Sequence, residues 1–137
     1  MRKKTIGYDA KRIVRNGTGL GSYGRTLVND LAPIMPDTTL RLYAPDAGLD
    51  DLRCQVQPRE NVRFCYPRHL RFRLQRDWWR MKGVVKDLRR DGVELYHGLS
   101  GELPEGLSAA GIPGVVTVHD LIFLRHPEFY PAIDAFF

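Results

Sequence analysis

The chain divides into short apolar runs and longer stretches whose apolar residues recur at helical spacing. The short runs predict five strands, at residues 4–8, 39–44, 61–66, 93–96 and 114–118. Between the first two strands, four apolar residues recur at the spacing of one helix face: Tyr23, Leu27, Leu31 and Ile34. They predict a helix over residues 22–36, preceded by a polar, glycine-rich connection over residues 9–21.

A longer helical pattern separates the third and fourth strands. Six apolar residues keep helical spacing there: Leu70, Leu74, Trp78, Met81, Val85 and Leu88. They predict one continuous helix over residues 70–90 with a single buried stripe, which stops at Asp91-Gly92. The last seven residues, PAIDAFF, predict the beginning of a further helix.

Strands that alternate with helices, without two-residue hairpin turns, indicate an α/β fold. We expect one Rossmann-like domain over residues 1–137, with a parallel sheet that carries helices on both faces. Parallel sheets of this kind bind ligands at the carboxyl ends of their strands. The connections at residues 9–21, 97–104 and 119–128 should therefore share one rim.

The net charge of +5 comes from one segment. Residues 68–90 hold nine of the 21 basic residues and two of the 16 acidic ones, so the remainder of the chain is close to neutral. The favoured interpretation is a helix that packs on the sheet and leaves a solvated basic face. Peripheral contact with an anionic membrane or a lipid-linked acceptor is the second interpretation. Nucleic acid is not expected, because aromatic residues do not interleave with a basic groove.

Targeting and metal signals are absent from the sequence. The start, MRKKTIGYDA, lacks a signal-peptide core, and no apolar run is long enough to span a bilayer. The two cysteines, Cys54 and Cys65, form no CxxC pair, so we expect reduced thiols and neither a disulfide nor a metal site. We expect a cytoplasmic protein, with peripheral binding at the inner face of the membrane as the second interpretation.

The glycine-rich stretch GTGLGSYG contains a GxGxxG match that begins at Gly19 and opens the first helix. Backbone N–H groups of Gly19, Leu20 and Gly21 could bind a phosphate or diphosphate there. A dinucleotide site is a weaker interpretation, since the intervening residues 9–16 separate this motif from its strand. Glycines that serve only a tight loop and close helix packing remain an alternative.

Two histidines follow predicted strands, His97 in LYHGLSGELP and His119 in VVTVHDL. A polar residue at the carboxyl end of a strand can point into the rim cleft, although a lone histidine there is more often a hydrogen-bonding residue. Two such histidines beside a glycine loop favour a polar ligand. The sequence contains no GxSxG or Walker motif, so Ser100 lacks the context of a nucleophile.

Four segments in this order resemble one family. They are IGYDAKR, GTGLGSYGRTLVNDLA, LYHGLSGELP and VVTVHDLIFLRHPEFY. Together they are similar to the N-terminal half of retaining GT-B glycosyltransferases of the mannosyltransferase-like group, glycosyltransferase family 4. The resemblance covers nearly the whole chain.

The resemblance implies two facing Rossmann-like domains, with the acceptor mainly on the N-terminal one. It implies that the backbone of Gly19 to Gly21 approaches the donor diphosphate. It also implies that His119, followed by Asp120, contacts the donor sugar near its reacting carbon. His97, Ser100 and Glu102 would face the acceptor. The family retains the anomeric configuration without a metal or other cofactor, and the leaving diphosphate helps to remove the acceptor's proton.

The resemblance implies a hexosyltransferase that moves a sugar from a GDP- or UDP-sugar to a saccharide or lipid-linked acceptor. The donor-binding C-terminal domain of that family is missing from this chain, which we therefore expect to be inactive alone. A non-catalytic Rossmann-like module that binds an anionic ligand is the alternative from a different functional class.

Overall fold

A computed structural model describes residues 2–68 and 70–129 and contains a five-stranded sheet. All strand pairs are parallel, in the order β3-β2-β1-β4-β5. The strands are β1 (Lys4–Asp9), β2 (Thr38–Tyr43), β3 (Val62–Cys65), β4 (Leu95–Gly98) and β5 (Gly114–Val116). The predicted α/β, Rossmann-like class is confirmed, since helices surround this parallel sheet.

The five predicted strands are all present; the boundaries of β1, β2 and β3 shift by one residue and those of β4 and β5 by two. The fourth strand begins two residues later than predicted and continues to Gly98, so His97 lies within it rather than after it. The fifth strand ends at Val116 rather than Val118. The register places His97 beside Tyr8 of the neighbouring β1. His97 is thus a sheet residue, and His119 belongs to a connection.

Within the part of the chain that the structure describes, six α-helices and two other helical turns occupy the connections. The α-helices are α1 (Lys11–Arg15), α2 (Gly19–Ile34), α3 (Asp50–Arg53), α4 (Arg73–Trp78), α5 (Val84–Arg90) and α6 (Ile122–Arg125). A π-helical turn over Trp79–Gly83 joins α4 to α5, and a 3₁₀ turn follows α6 over Pro127–Phe129. The sequence did not predict α1, α3 or α6, since each is too short for helical periodicity to register. The helix predicted over 131–137 lies outside the described residues.

Two apolar cores lie on opposite faces of the sheet. On one face, Tyr8 and Leu42 pack with Ile13 and Val28 of α1 and α2. On the other, the core includes the following residues: Tyr43, Trp79, Val84, Leu88 and Tyr96. A Cβ on Gly7 would lie within 3.2 Å of the Tyr96, Leu88 and Tyr43 side chains, so glycine allows this second core to close over β1. Helices therefore cover both faces, as the sequence predicted.

The single buried stripe predicted over residues 70–90 is wrong at Leu74 and Trp78, whereas Leu70, before the helix begins at Arg73, packs against the second core. Leu74 and Trp78 are 82% and 59% exposed, whereas the adjacent Trp79 is 5% exposed and Leu88 is fully buried. The π-helical turn explains the difference, because its i→i+5 hydrogen bonds hold about one more residue per turn than an α-helix. The stripe on α4 is consequently rotated away from the core that α5 covers.

Other sequence predictions concern the thiols and the helix ends. Cys54 and Cys65 are both free, as predicted. The first long helix begins at Gly19 rather than Ser22 and contains Pro33 in its last turn. No described helix is both long enough and apolar enough to cross a bilayer.

Candidate functional site

The carboxyl ends of β1 and β4 meet at a buried ion cluster. Asp9, the last residue of β1, accepts hydrogen bonds from two nitrogens of Arg80. Nη2 donates to Oδ2 at 2.6 Å, and Nε is shared between Oδ2 at 3.0 Å and Oδ1 at 3.2 Å. Nη1 of the same arginine donates to Oε2 of Glu102, in the loop after β4, at 3.0 Å. The Arg80 side chain is only 13% exposed. A single guanidinium therefore ties the π-helical turn to two neighbouring rim segments.

The carboxylates of Asp9 and Glu102 stabilise the charged form of Arg80. Burial disfavours the guanidinium cation, but the opposite charges of Asp9 and Glu102 more than offset this effect, so the pKa of Arg80 lies above its ordinary value. Glu102, predicted to face an acceptor, is already engaged with this arginine. Its carboxylate therefore shapes the rim through Arg80, whatever its role toward a ligand.

Helix α4 crosses the rim beside this cluster. Arg76 lies 3.5 Å from Asp46, in the loop after β2, and Asp77 lies 4.0 Å from Lys11, in α1. Arg15 of α1 binds the same Asp46 at 2.7 Å. The inner side of α4 thus rests on the loops after β1 and β2 through ion pairs, which differs from the apolar packing that the sequence predicted there.

The glycine loop is held by the side chain of Asn16. Its Oδ1 accepts the backbone N–H groups of Thr18 and Gly21, at 2.9 and 3.1 Å, and the Thr18 hydroxyl at 2.6 Å. Gly21 also packs so tightly on α1 that a Cβ would lie 1.9 Å from the Asn16 carbonyl oxygen. Close packing accounts for Gly21, the alternative that the sequence left open.

Gly19 and Leu20 differ from Gly21. Within the described residues, their backbone N–H groups make no hydrogen bond, and a Cβ on Gly19 would meet nothing within 4 Å. Gly19 is exposed at the first turn of the 16-residue α2. These two N–H groups, at the positive end of the helix dipole, form the part of the predicted diphosphate loop that can receive an anion.

A buried cation lies behind the loop. Arg25 of α2 is 4% exposed, and its Nη1 donates to the carbonyl oxygens of Ile13 and Asn16 at 2.9 and 2.8 Å. Its Nε makes no hydrogen bond to the described residues. Arg25 therefore satisfies carbonyl groups at the end of α1 and adds a positive charge beneath the glycine loop.

His119 is brought to the same rim by two contacts. Its Nε2 lies 2.8 Å from the carbonyl oxygen of Leu99, and its ring meets that of Tyr23 edge-on, with centroids 5.1 Å apart. Because a carbonyl oxygen can only accept, Nε2 carries the proton. In the neutral ring, Nδ1 is therefore the nitrogen that can accept a hydrogen bond from a ligand hydroxyl.

Of the other predicted site residues, Asp120 and His97 have local hydrogen-bond partners, and Ser100 has none among the described residues. The Asp120 Oδ1 accepts the backbone N–H of Ile122 at 3.1 Å, so this carboxylate bonds to the first turn of α6. The Ser100 hydroxyl is buried and makes no hydrogen bond within the described residues. His97 Nε2 shares a hydrogen bond of 2.7 Å with the Thr117 hydroxyl. Burial lowers the pKa of His97, which favours the neutral ring.

The connections at residues 9–21, 97–104 and 119–128 lie at one edge of the sheet, as predicted. Arg80 joins Asp9 to Glu102, and His119 contacts Leu99. Sequence reasoning missed four residues that organise it: Asp9, Asn16, Arg25 and Arg80. The position of Asp9 at the end of a strand was a usable signal. Arg80 carried no such signal, since eight other basic residues surround it in its segment. Among the described residues, no group of three or more histidine, cysteine or carboxylate side chains could hold a metal ion.

Comparisons with known proteins identified no relative. No family model, curated protein or solved structure matched the chain.

Proposed function

We propose that this chain is the acceptor-side domain of a retaining GT-B hexosyltransferase that uses a GDP- or UDP-sugar. The observation that carries the proposal is the convergence of three segments at one rim. Tyr23 of α2, Leu99 after β4 and His119 after β5 are in contact there. The helix that contributes Tyr23 also begins with the open N–H groups of the glycine loop.

This arrangement suits a reaction that depends on positioning and on charge. A leaving diphosphate develops negative charge, which the Gly19 and Leu20 N–H groups and the α2 dipole would stabilise. His119 Nδ1 would accept a hydrogen bond from a hydroxyl of the transferred sugar, which would orient the reacting carbon of that sugar. A saccharide or lipid-linked acceptor would approach from the loop that carries Ser100 and Glu102. No metal or other cofactor takes part in the proposed reaction.

In the proposed reaction, a second domain outside these residues recognises the donor. We expect residues 1–137 alone to transfer no sugar, and a two-domain polypeptide that joins them to such a donor-binding domain to be active. We also propose that the protein is cytoplasmic, as the sequence indicates.

The test is a sugar-transfer assay on the two-domain polypeptide with GDP- and UDP-sugars. His119→Gln retains a side-chain N–H for the Leu99 carbonyl but loses the Nδ1 acceptor, so transfer should fall by about 100-fold. His126→Gln is the matched control, because His126 is exposed and bonds Glu128 outside the rim contacts. Equal activity of the two variants would remove His119 from the mechanism, and no transfer from any donor would contradict the enzyme assignment.

The non-catalytic module that binds an anion is supported by one observation: the buried Arg25 lies beside Gly21 in the loop whose Gly19 and Leu20 N–H groups are open. Gly19→Pro tests anion binding directly. Proline suits the first position of a helix, and Thr18 already has the extended backbone that proline requires of its predecessor. The substitution removes one N–H, whereas Gly19→Ala keeps it at a position where a Cβ meets nothing.

Calorimetric titration of the chain with pyrophosphate and with nucleoside diphosphates compares these variants. Binding that Gly19→Pro weakens and Gly19→Ala preserves would establish the anion site. That result together with an inactive two-domain polypeptide would favour the module over the transferase.

A further inference from the structure

The first half of the long helical segment presents an apolar and basic surface to solvent. We define the α4 patch as Arg71, Phe72, Arg73, Leu74 and Trp78, all of which are exposed. Its three apolar side chains are 67%, 82% and 59% exposed in chain order. Leu74 and Trp78 are four residues apart and therefore lie on one face of α4. Large apolar side chains gathered in this way mark an interaction surface.

The inner side of α4 is already occupied. Arg76 and Arg80 bind Asp46 and Asp9 of the rim, and the stripe of Leu74 and Trp78 lies on a different side of the helix. The π-helical turn causes this arrangement, because it buries Trp79 while its neighbour Trp78 stays exposed. The apolar side chains of the α4 patch therefore take no part in the packing of the core.

The charge around the α4 patch is strongly positive. Residues 68–90 contain nine basic side chains and two acids. Both acids are engaged within the domain. Asp77 pairs with Arg73 and Lys11, and Asp87 accepts a 2.7 Å hydrogen bond from Trp79 Nε1 and pairs with Arg90. Four of the nine basic side chains pair with carboxylates outside the segment: Arg76, Arg80, Lys82 and Arg90. The positive charge beside the exposed apolar groups therefore comes from the exposed Arg71 and Arg73.

We infer that the α4 patch docks on an anionic lipid bilayer. Leucine, phenylalanine and tryptophan can enter the boundary between headgroups and acyl chains, while the flanking arginines bind acidic headgroups. Nucleic acid fits less well, since the phosphate backbone offers the aliphatic Leu74 side chain no apolar environment. With the outer side of α4 on the bilayer and its inner side on the rim, the rim lies about 10 Å, one helix diameter, from the bilayer surface.

The experiment is co-sedimentation of the chain with phosphatidylcholine vesicles that do or do not contain phosphatidylglycerol. We expect binding only to the anionic vesicles, and weaker binding as salt increases. Arg71→Gln with Arg73→Gln should weaken binding by about 25-fold, since each basic residue near the surface contributes about five-fold. Arg59→Gln with Arg63→Gln removes the same charge from exposed positions near β3 and should have little effect.

The apolar contribution has its own matched pair of variants. Leu74→Ser with Trp78→Ser should abolish detectable sedimentation. Ile34→Ser with Leu49→Ser removes exposed apolar side chains elsewhere and should leave sedimentation unchanged. Circular dichroism of every variant establishes that it is folded.

Brominated acyl chains give a second readout. They should quench the fluorescence of Trp78 but not that of Trp79, which is buried in the protein core. Trp78→Phe should therefore keep vesicle binding and lose the quenching.

Three outcomes would overturn the inference: no binding to anionic vesicles, equal binding by folded patch variants and their controls, or retention of single-stranded nucleic acid in place of vesicles. The last outcome would assign the basic surface to nucleic acid.

Discussion

Helices α4 and α5 share one apolar pattern but have opposite environments. In α5, the stripe residues Val85 and Leu88 pack against the second core, with Leu88 fully buried and Val85 partly buried. In α4, Leu74 and Trp78 occupy corresponding positions of the predicted stripe and face solvent. The α5 half is held by apolar packing, whereas the α4 half is held at the rim by ion pairs.

The π-helical turn, a single local irregularity, changes which side of the helix faces the core. The π-helical turn shifts the helical phase, so that Trp79 enters the core and Arg80 reaches Asp9 and Glu102. Turns of this kind are frequent at functional sites. Here the turn supplies the rim with its central cation and leaves the α4 patch exposed.

Substitution of the adjacent tryptophans gives the largest expected contrast. Trp79→Ala removes a buried ring and its hydrogen bond to Asp87, and should lower the free energy of unfolding by about 3–5 kcal/mol. Trp78→Ala should cost less than about 1 kcal/mol, because the ring is mostly exposed. Urea unfolding followed by circular dichroism measures both. Equal costs would mean that the stripe is continuous after all.

The rim cluster should respond differently from the arginines of the outer surface. Arg80→Gln leaves the buried Asp9 and the nearby Glu102 without their shared cation, at a cost of about 3 kcal/mol in the free energy of unfolding. Arg73→Gln removes an exposed partner of Asp77 and should cost less than about 0.5 kcal/mol.

Arg80→Lys sharpens this test. Lysine keeps the charge but cannot span two carboxylates with a planar fork, so its cost should lie between those of the two glutamine variants. Full stability of Arg80→Gln in urea unfolding would show that the cluster does not secure the rim.

Acid should loosen α4 before α5. The hydrogen bond and charge of Arg15, together with the charge of Arg76, lower the pKa of Asp46 below its ordinary value of 3.8. The stabilisation from this carboxylate is therefore complete above pH 3.8 and is lost as the pH falls through the folded-state pKa. Because these pairs are partly exposed, the effect should be below about 1 kcal/mol.

Amide hydrogen exchange above and below pH 3.8 measures this effect. Protection of α4 should fall more than that of α5, which serves as the internal reference. Asp46→Asn should remove the difference in acid sensitivity. A uniform loss of protection in both helices would contradict the separate anchoring of α4.

The candidate site was predictable where its residues follow strands. The glycine loop and His119 each lie in a connection at the rim, and the order of strands and helices was enough to bring those connections together. The roles within the loop were not predictable. Gly19 and Gly21 look alike in the sequence, but only the structure shows that Gly21 packs on α1 while Gly19 stays open.

The sequence by itself determined the fold class, because the spacing of apolar residues specifies the five strands and the longer helices through local geometry. It also determined the concentration of positive charge in residues 68–90. The tertiary structure alone decided which apolar residues of that segment are buried and which arginine enters the rim. Burial and ion pairing depend on distant partners, such as Asp9 and Arg80, 71 positions apart, and such contacts leave no periodic trace along the chain.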